Sequence, residues 1–358
     1  MGVFIAVIFM LGGCSLPSVL SLESQDAAIL HKYIRFKEKY SINFLDPIED
    51  QHRFRIFSRN VESMRASEGS GSLFTLGINK YTAMTVEEFV TGYYYDPSIS
   101  EVSYSDKSAA PSAPLPEWCT PGKGYQNPLS DFNWVLKGAV NTPVHQGQCG
   151  SCYAIAILGA LEGALQGKTG ALARLSVQQV VDCSRTVGNQ GCDGGRAADT
   201  VLYTYSNGIV SDDDYPYKAV EGECQKATIQ DKTKQCLQAG DIDLSKTVFI
   251  QPNDFKGLFN EIQNGGILKC PESGTPVTPN HNVLLVGYGE ENGRSYWIIR
   301  DSRGTEWGEH GYARILRDPD FKTDPSFCGI LDLRATRPAL ASTIKATACR
   351  GKGGARLP

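Results

Sequence analysis

Cys152 stands at a point in the sequence where it could act as a nucleophile. It follows the stretch Gln146-Gly147-Gln148-Cys149-Gly150-Ser151, and the apolar run 154–161 after it predicts a buried helix. At a helix N-terminus, unpaired backbone N–H groups and the helix dipole favour a thiolate, which is the form of cysteine that attacks a carbonyl. We expect the amide of Gln146 and the backbone N–H of Cys152 to donate to the oxyanion formed in that attack.

The segment Cys149-Gly150-Ser151-Cys152-Tyr153 resembles the signature of the papain family of cysteine peptidases, where Trp is more usual at the Tyr153 position. The alternative is a redox or zinc C-x-x-C pair, although no second C-x-x-C supports zinc. The resemblance implies an α+β, two-lobed papain-like fold with a helical lobe and an antiparallel β-barrel lobe, preceded by a helical propeptide domain. It also implies a cysteine endopeptidase that works through a thioester acyl-enzyme, with no metal and no cofactor.

The resemblance assigns the catalytic base and the residue that orients it. In the family these residues lie about 130–150 residues after the nucleophile, and His281 and Asp301 stand at the matching positions. Asp301 replaces the family's Asn, and Arg303 replaces a Trp that covers it. A carboxylate can orient an imidazole, but we expect Arg303, with Arg300 nearby, to compete for Asp301. A purely structural role for His281 is the alternative.

The resemblance also assigns a substrate groove. Its members would be Gly194, Gly195, Asn280, Asn282, Leu333 and Trp307. The glycines would let an extended peptide approach and pair with the backbone at Gly195. Leu333 would form an apolar floor, and Asn282 would narrow the pocket. We therefore expect Leu, Val or Phe to be preferred over Arg two residues before the cut.

Eleven cysteines and an apolar N-terminus indicate an oxidising compartment. The resemblance implies four disulfides: Cys149–Cys192, Cys183–Cys224, Cys270–Cys328 and Cys119–Cys236. Spacing alone leaves this connectivity open.

The N-terminal third carries a pattern typical of papain-like propeptides. Apolar residues recur at helical spacing across residues 25–66, including Leu30 and Ile34. An interrupted E-R-F-N-I-N pattern is kept at its first four positions and altered at the last two: Glu49, Arg53, Phe57, Asn60, Met64 and Glu68. The family's G-x-N-x-F-x-D pattern follows with Ala83 in place of its carboxylate, which puts acid-triggered release in doubt. A plain charged helical bundle is the alternative.

These patterns predict five segments. They are a signal peptide at 1–21, the inhibitory propeptide at 22–95, a processing linker at 96–114, the peptidase domain at 115–335 and a flexible tail at 336–358. The apolar run at 3–11 is too short to span a bilayer and is typical of a secretory signal. A buried strand or a bacterial lipoprotein site is the alternative. We expect a secreted or lysosomal/vacuolar protein.

Composition limits the partners. The chain has 35 basic and 39 acidic residues and a net charge of −4, which argues against nucleic acid as the main partner. We expect protein or peptide substrates, inhibition by the chain's own propeptide, cystatin-like inhibitors and no membrane partner after signal removal. After the helical stretch 253–263 the family has a barrel strand that this chain lacks. This gap, with Asp301, Arg303 and Ala83, motivates the alternative of a binding or decoy protein, and a disulfide-rich structural protein is a third hypothesis.

Overall fold

The chain divides into two compact units, Met1–Val86 and Glu87–Pro358. The computed structural model describes residues 19–68, 77–85, 88, 131–250, 281–316 and 335–344. Within them the helices are α1 (Val19–Tyr40), α2 (Pro47–Glu68), α3 (Cys152–Thr169), α4 (Val177–Cys183), α5 (Ala197–Asn207) and α6 (Lys226–Gln230). The strands are β1 (Phe132–Asn133), β2 (Ile209–Val210), β3 (Gln235–Leu237), β4 (Val248–Ile250), β5 (Leu284–Glu291), β6 (Arg294–Arg300), β7 (Tyr312–Leu316) and β8 (Ala335–Arg337).

In the first unit α1 and α2 pack through an aromatic core. Its buried members are Ile29, Tyr33, Phe36, Phe57, Val61 and Ala83. The prediction of one helical run over 25–66 is wrong at the turn between α1 and α2, where Ser41 has φ of 54°. Leu30 and Ile34 are 46% and 44% exposed. The buried face of α1 is formed instead by Ile29, Tyr33 and Phe36, which lie at the four- and three-residue steps of a single helix face. Leu30 and Ile34 each follow a member of that face by one residue and therefore lie outside it.

The two propeptide patterns hold each other in place. The Arg53 Nε forms a salt bridge with Glu49 Oε1 at 2.6 Å, and its Nη1 donates to the Ala83 carbonyl at 3.2 Å. The amide of Asn60 donates to the carbonyls of Thr82 and Met84 at 2.9 and 3.0 Å. The charged and amide positions of the first pattern therefore satisfy backbone acceptors of the second, as buried polar groups require.

The helical lobe of the second unit is built around α3. This helix buries its residues on nearly all sides, as its apolar sequence predicts, and packs against α4 and α5. The Ser176 hydroxyl caps α4 by accepting from the Gln179 N–H at 3.0 Å. The disulfides Cys149–Cys192 and Cys183–Cys224 form as predicted. Cys236 is also disulfide-bonded, to a partner outside the described residues, so its pairing with Cys119 stays a prediction.

The second lobe contains a four-stranded antiparallel sheet in the order β1-β5-β6-β7. Tyr288, Trp297, Ile299, Ala313 and Ile315 form its buried core. Leu284, the first residue of β5, pairs with Arg300, the last residue of β6. The segments just before β5 and just after β6 therefore leave the sheet at the same end, and these segments carry His281 and Asp301.

The prediction of a flexible tail from residue 336 is wrong for its first residues. Strand β8 pairs antiparallel with β4, and Ala339 is buried. Leu340 and Ile344 pack against the core of the helical lobe. Burial of these apolar side chains outweighs the local tendency of the Ala- and Lys-rich sequence to remain disordered.

Some predictions fall on residues outside the described ranges. They are residues 1–18 of the signal peptide, the linker, the helical stretch 253–263 with its missing strand, the Cys270–Cys328 disulfide, Asn280 and Leu333. Among the helices in the described part of the chain, none is long and apolar enough to cross a membrane.

Candidate active site

The nucleophile position lies at the start of α3. The helix begins at Cys152, as predicted, and the Ala154 and Ile155 N–H groups donate to the Ser151 carbonyl at 3.0 and 3.1 Å. The Gly150 N–H donates to the Cys192 carbonyl at 2.7 Å, next to the Cys149–Cys192 disulfide. Cys152 is buried and is the free cysteine within the described ranges. A cross-linked loop thus presents a single thiol at a helix N-terminus.

His281 and Asp301 are brought together by the β5–β6 pairing. His281 Nε2 lies 3.3 Å from Asp301 Oδ1, and both side chains are largely buried. The Asp301 N–H donates to the Gly311 carbonyl at 3.0 Å, which fixes the backbone that carries the carboxylate. The expected base and orienting residue therefore face each other.

The electrostatics of the site favour a thiolate beside an imidazolium. Burial opposes the thiolate, but the positive charge of His281 and hydrogen bonds from His281 and Asn282 outweigh it, so the pKa of Cys152 lies below its usual value. Burial likewise opposes the imidazolium, yet Asp301 and Cys152 together raise the pKa of His281 to about 9. Both shifts have the sign that an ion pair requires.

The expected competition for Asp301 does not occur. Arg303 Nη1 donates to Asp301 Oδ2 at 2.5 Å, while Oδ1 faces His281. Each cation binds a different oxygen of the Asp301 carboxylate, so the two contacts coexist. The prediction that Arg300 joins the competition is wrong: its guanidinium donates to the carbonyls of Asn141 and Ile155 at 3.0 and 3.4 Å.

The Gln146 side chain is held between the two lobes. Its Nε2 donates to the Cys149 carbonyl at 3.0 Å, and its Oε1 accepts from the Ser302 hydroxyl. Its backbone N–H donates to the Ser302 carbonyl at 2.8 Å. The amide therefore points its nitrogen towards the nucleophile loop. Sequence reasoning missed Ser302, because a serine beside Asp301 carries no signal that it orients a residue 156 positions earlier.

Asn282 has a different contact from the one expected. Its Nδ2 lies 3.9 Å from the Cys152 Sγ, so its amide faces the nucleophile. Asn282 is expected to narrow the pocket whose floor is Leu333. Because Leu333 lies outside the described residues, that role stays a prediction. Asn282 directly follows the expected base His281 in the sequence, and this adjacency is the signal that could have predicted its contact with the thiol.

Trp307 and the two groove glycines have clear structural roles. The Arg303 guanidinium lies over the Trp307 ring at 5.3 Å. Gly194 has φ of 118°, where residues with a side chain are strained. A Cβ at Gly195 would lie 2.7 Å from the ring of Tyr153, whose hydroxyl donates to the Gly191 carbonyl at 3.0 Å. That last bond gives Tyr153 a polar partner that a Trp could not reach in the same way.

In the described part of the chain, no group of three or more His, Cys, Asp or Glu side chains could hold a metal ion.

Comparison with known proteins agrees with this geometry. Residues 129–336 match the papain family cysteine protease domain, and residues 33–89 match the cathepsin propeptide inhibitor domain. The chain is 34% identical to digestive cysteine proteinase 2 of Homarus americanus, over 82% of this chain and 91% of that protein. It is 32% identical to a cathepsin L-like proteinase of Phaedon cochleariae, over 86% of this chain and 92% of that protein.

Solved structures give the same result. The proform of the ragweed pollen allergen Amb a 11, a cysteine protease, matches with a TM-score of 0.72 and 26% identity, over 89% of this chain and 98% of that chain. Digestive procathepsin L 3 of Tenebrio molitor matches with a TM-score of 0.68 and 28% identity, over 87% and 99% of the two chains. The chain belongs to the papain family of cysteine proteases. It is a cysteine endopeptidase precursor that carries a cathepsin-type propeptide inhibitor domain.

Proposed function

We propose that Cys152 is the nucleophile of this peptidase, His281 its base and acid, Asp301 the residue that orients His281, and Gln146 an oxyanion donor. The observation that carries this proposal is the buried line of interacting groups from Cys152 through His281 to Asp301. Each charge in that line stabilises its neighbour, so the thiolate and the imidazolium are present before substrate binds.

In the acylation step the Cys152 thiolate attacks the carbonyl carbon of the scissile peptide bond. The carbonyl oxygen becomes an oxyanion, which accepts from the Cys152 backbone N–H and the Gln146 amide. As the C–N bond breaks, the His281 imidazolium gives its proton to the leaving amine. The products are a thioester on Cys152, a free amine and a neutral imidazole.

In the deacylation step the neutral His281 imidazole takes a proton from water while the water oxygen attacks the thioester carbonyl. Collapse of the second tetrahedral intermediate breaks the C–S bond, releases the carboxylic acid and restores the thiolate beside the imidazolium. Asp301 keeps the imidazole oriented through both steps and stabilises its charged form.

We propose that an extended peptide lies along Gly194 and Gly195 and pairs with the backbone at Gly195. Asn280, Asn282, Leu333 and Trp307 would line the groove around it. An apolar floor at Leu333 favours Leu, Val or Phe over Arg two residues before the cut. A peptide library scanned at that position tests this preference, and selection of Arg would overturn it.

For the precursor we propose a secretory route, with the signal at 1–21 removed and the propeptide at 22–95 cleaved in the linker 96–114. The two disulfides that form among the described residues support an oxidising compartment. Lysosomal or vacuolar delivery, extracellular release and inhibition by cystatin-like proteins belong to the same proposal. Mass spectrometry of the protein from its native compartment tests the cleavage sites.

The catalytic proposal is tested by labelling. The precursor is incubated in acid and treated with a thiol-directed peptidyl epoxide, and the labelled residue is located by mass spectrometry. We expect stoichiometric label on Cys152, loss of the residues before about Leu115, and none of this label in Cys152→Ser. A folded, processed chain without label would overturn the assignment and favour the binding or decoy hypothesis.

The pH profile is a second test. Activity should fall on the acid side as the Cys152 thiolate is protonated, at a pH below the usual range of a thiol because its pKa is lowered. It should fall on the alkaline side as His281 loses its proton near its pKa of about 9. Single-turnover acylation between these limits should therefore trace a bell.

A further inference from the structure

Asp301 is a carboxylate with a cation on each side. His281 lies at 3.3 Å from one oxygen and Arg303 at 2.5 Å from the other. All three side chains are buried or nearly so, and the Asp301 and Arg303 side chains are 2% and 6% exposed. A buried ionised group is stable only when it is paired and hydrogen-bonded, so neither Asp301 nor Arg303 suits this site alone.

The formal charges of the site add up to zero when both Asp301 and Arg303 are present. The Cys152 thiolate and Asp301 each contribute one negative charge, and the His281 imidazolium and Arg303 each contribute one positive charge. An Asn and a Trp at positions 301 and 303 would also leave the site neutral. Changing either position alone leaves one buried charge uncompensated.

We propose that Arg303 is a positioning residue of this peptidase, which acts through Asp301 by binding the carboxylate oxygen that His281 does not use. This proposal rests on the roles assigned above to Cys152 and His281. Arg303 holds Asp301 ionised and turned towards the imidazole, in place of apolar cover. The two departures at 301 and 303 are thus one matched unit rather than two separate losses.

The surroundings of Arg303 support a fixed position. Its guanidinium lies over the Trp307 ring at 5.3 Å, which favours a planar cation. Its backbone forms a bridge with His145, and the adjacent Gly304 N–H donates to the Val144 carbonyl at 3.2 Å. The segment that carries the cation is therefore attached both to the sheet and to the chain leading to the nucleophile.

The other charged groups near this unit have their own positions. Arg300 faces Glu162 at 3.8 Å on helix α3, and His145 Nδ1 accepts from the Gly147 N–H at 2.9 Å. Glu306 is exposed in the turn before Trp307. Burial opposes the charged form of Asp301, but the positive charges of His281 and Arg303 and hydrogen bonds from His281 and the Ser302 backbone outweigh it, so the pKa of this carboxyl lies below its usual value.

The two single changes should move the pH profile in opposite directions, because they leave uncompensated charges of opposite sign beside Cys152 and His281. In Asp301→Asn the uncompensated Arg303 cation disfavours the imidazolium, so the alkaline limb should move down by about one to three pH units. In Arg303→Met the uncompensated carboxylate disfavours the thiolate, so the acid limb should move up. The double variant Asp301→Asn/Arg303→Met is neutral again and should react at pH 7 about tenfold faster than Asp301→Asn.

The experiment measures single-turnover acylation of Cys152 by a peptide substrate against pH in the processed enzyme, because the attack needs the thiolate and the leaving amine needs the His281 proton. Arg314→Met is the matched control, since Arg314 pairs with Glu291 and Glu309 at the surface and should leave both limbs in place. Near-ultraviolet circular dichroism checks folding. If a single variant fails to fold, Arg303→Lys carries the test: it keeps the charge without the planar fork, and its acid limb should stay below that of a neutral residue such as Gln.

Three outcomes decide between the hypotheses. Shifts of the profile in opposite directions in the two single variants, with recovery in the double variant, support the proposal. Shifts in the same direction, or a double variant slower than both singles, would overturn it, because a merely structural Arg303 predicts accumulated damage. A wild-type enzyme whose Cys152 shows no thiolate–imidazolium reactivity would instead overturn the proposed function itself.

Discussion

Two aspartates, one in each unit, bind a cation and an aromatic ring partner in similar ways. In the propeptide unit Asp50 accepts from Lys37 at 2.8 Å and from the Tyr33 hydroxyl at 2.7 Å. In the peptidase unit, Asp301 has Arg303 at 2.5 Å and the His281 ring at 3.3 Å. Each carboxylate thus has one Lys or Arg partner and one partner that carries a ring.

The difference lies in exposure to solvent. The Lys37 and Asp50 side chains are 26% and 32% exposed, whereas those of Arg303 and Asp301 are 6% and 2% exposed. Water and salt screen the first pair, so its attraction is small. The second pair sits where a charge without its partner is strongly disfavoured. Because Asp301 is buried, its contacts affect the charge states of the site, whereas the contacts of the more exposed Asp50 contribute only a weak local attraction.

The largest effect on stability is expected when the carboxylate of Asp301 is removed, and removal of the Asp50 carboxylate is the comparison. In a Cys152→Ser background, Asp301→Ala should lower the free energy of unfolding by about 3–5 kcal/mol, since it leaves Arg303 buried without a partner. Asp50→Ala should lower it by less than about 1 kcal/mol. Urea unfolding of the full chain measures both, by tryptophan fluorescence for the second unit, which holds all four Trp, and by far-ultraviolet circular dichroism for the first. Equal losses would break the comparison.

A second buried pair sharpens the same point. Arg300 lies 3.8 Å from Glu162, with side chains 3% and 6% exposed, and a Cβ at Gly159 would meet the Arg300 guanidinium and lie 2.9 Å from the Leu284 side chain. Gly159→Ala should therefore lower the free energy of unfolding by about 1–3 kcal/mol through overpacking.

Gly167, in the same helix, is the matched control. Nothing lies within 4 Å of a Cβ at that position, so Gly167→Ala should raise stability by about 0.5–1 kcal/mol through helix propensity. Thermal unfolding of both variants checks the pair of expectations. Stabilisation by both changes would show that the Arg300 and Leu284 side chains can move aside for a Cβ at Gly159.

A smaller effect is expected at the nucleophile. The Asn282 amide lies 3.9 Å from the Cys152 Sγ and helps to lower the pKa of the thiol. Asn282→Ala should raise the acid limb of single-turnover acylation at Cys152 by less than about one pH unit, since a single long hydrogen bond to a charged atom is weak. An alkaline-limb shift instead would place the influence of Asn282 on His281.

The smallest effect concerns acid and the propeptide unit. The Lys37 hydrogen bond, partly opposed by burial and aided by Tyr33, lowers the pKa of Asp50. The stabilising contribution is therefore present above the unfolded carboxyl pKa of about 3.9 and is lost as the pH falls through the lower folded value. Asp50→Asn should flatten this part of the acid titration by less than about 1 kcal/mol. Circular dichroism at low and high salt measures it, and an effect unchanged by salt would contradict the exposed character of the pair.

Local patterns predicted much of this molecule. The apolar run after Cys152 predicted the helix that begins there, and the family resemblance implied the two disulfides Cys149–Cys192 and Cys183–Cys224. The propeptide pattern identified Arg53 and Asn60 as members of one motif, and the structure shows their contacts with residues 82–84. These features depend on residue type and separation along the chain, which the sequence displays directly.

Predictions that depended on a side chain's direction fared less well. Arg300 and Arg303 are three positions apart, yet one turns to α3 and the other to Asp301. The buried face of α1 and the packing of residues 339–344 against the helical lobe likewise depend on surfaces far away in sequence. A local pattern carries no information about which distant surface is available.

The amino-acid sequence by itself determined the class of this protein and the charges available to its candidate active site. Only the tertiary structure decided how those charges are shared. The β5–β6 register brings His281 to one oxygen of Asp301, and the turn after β6 brings Arg303 to the other. The physical reason is that electrostatic interactions depend on distance and burial, and both arise only when remote segments pack together.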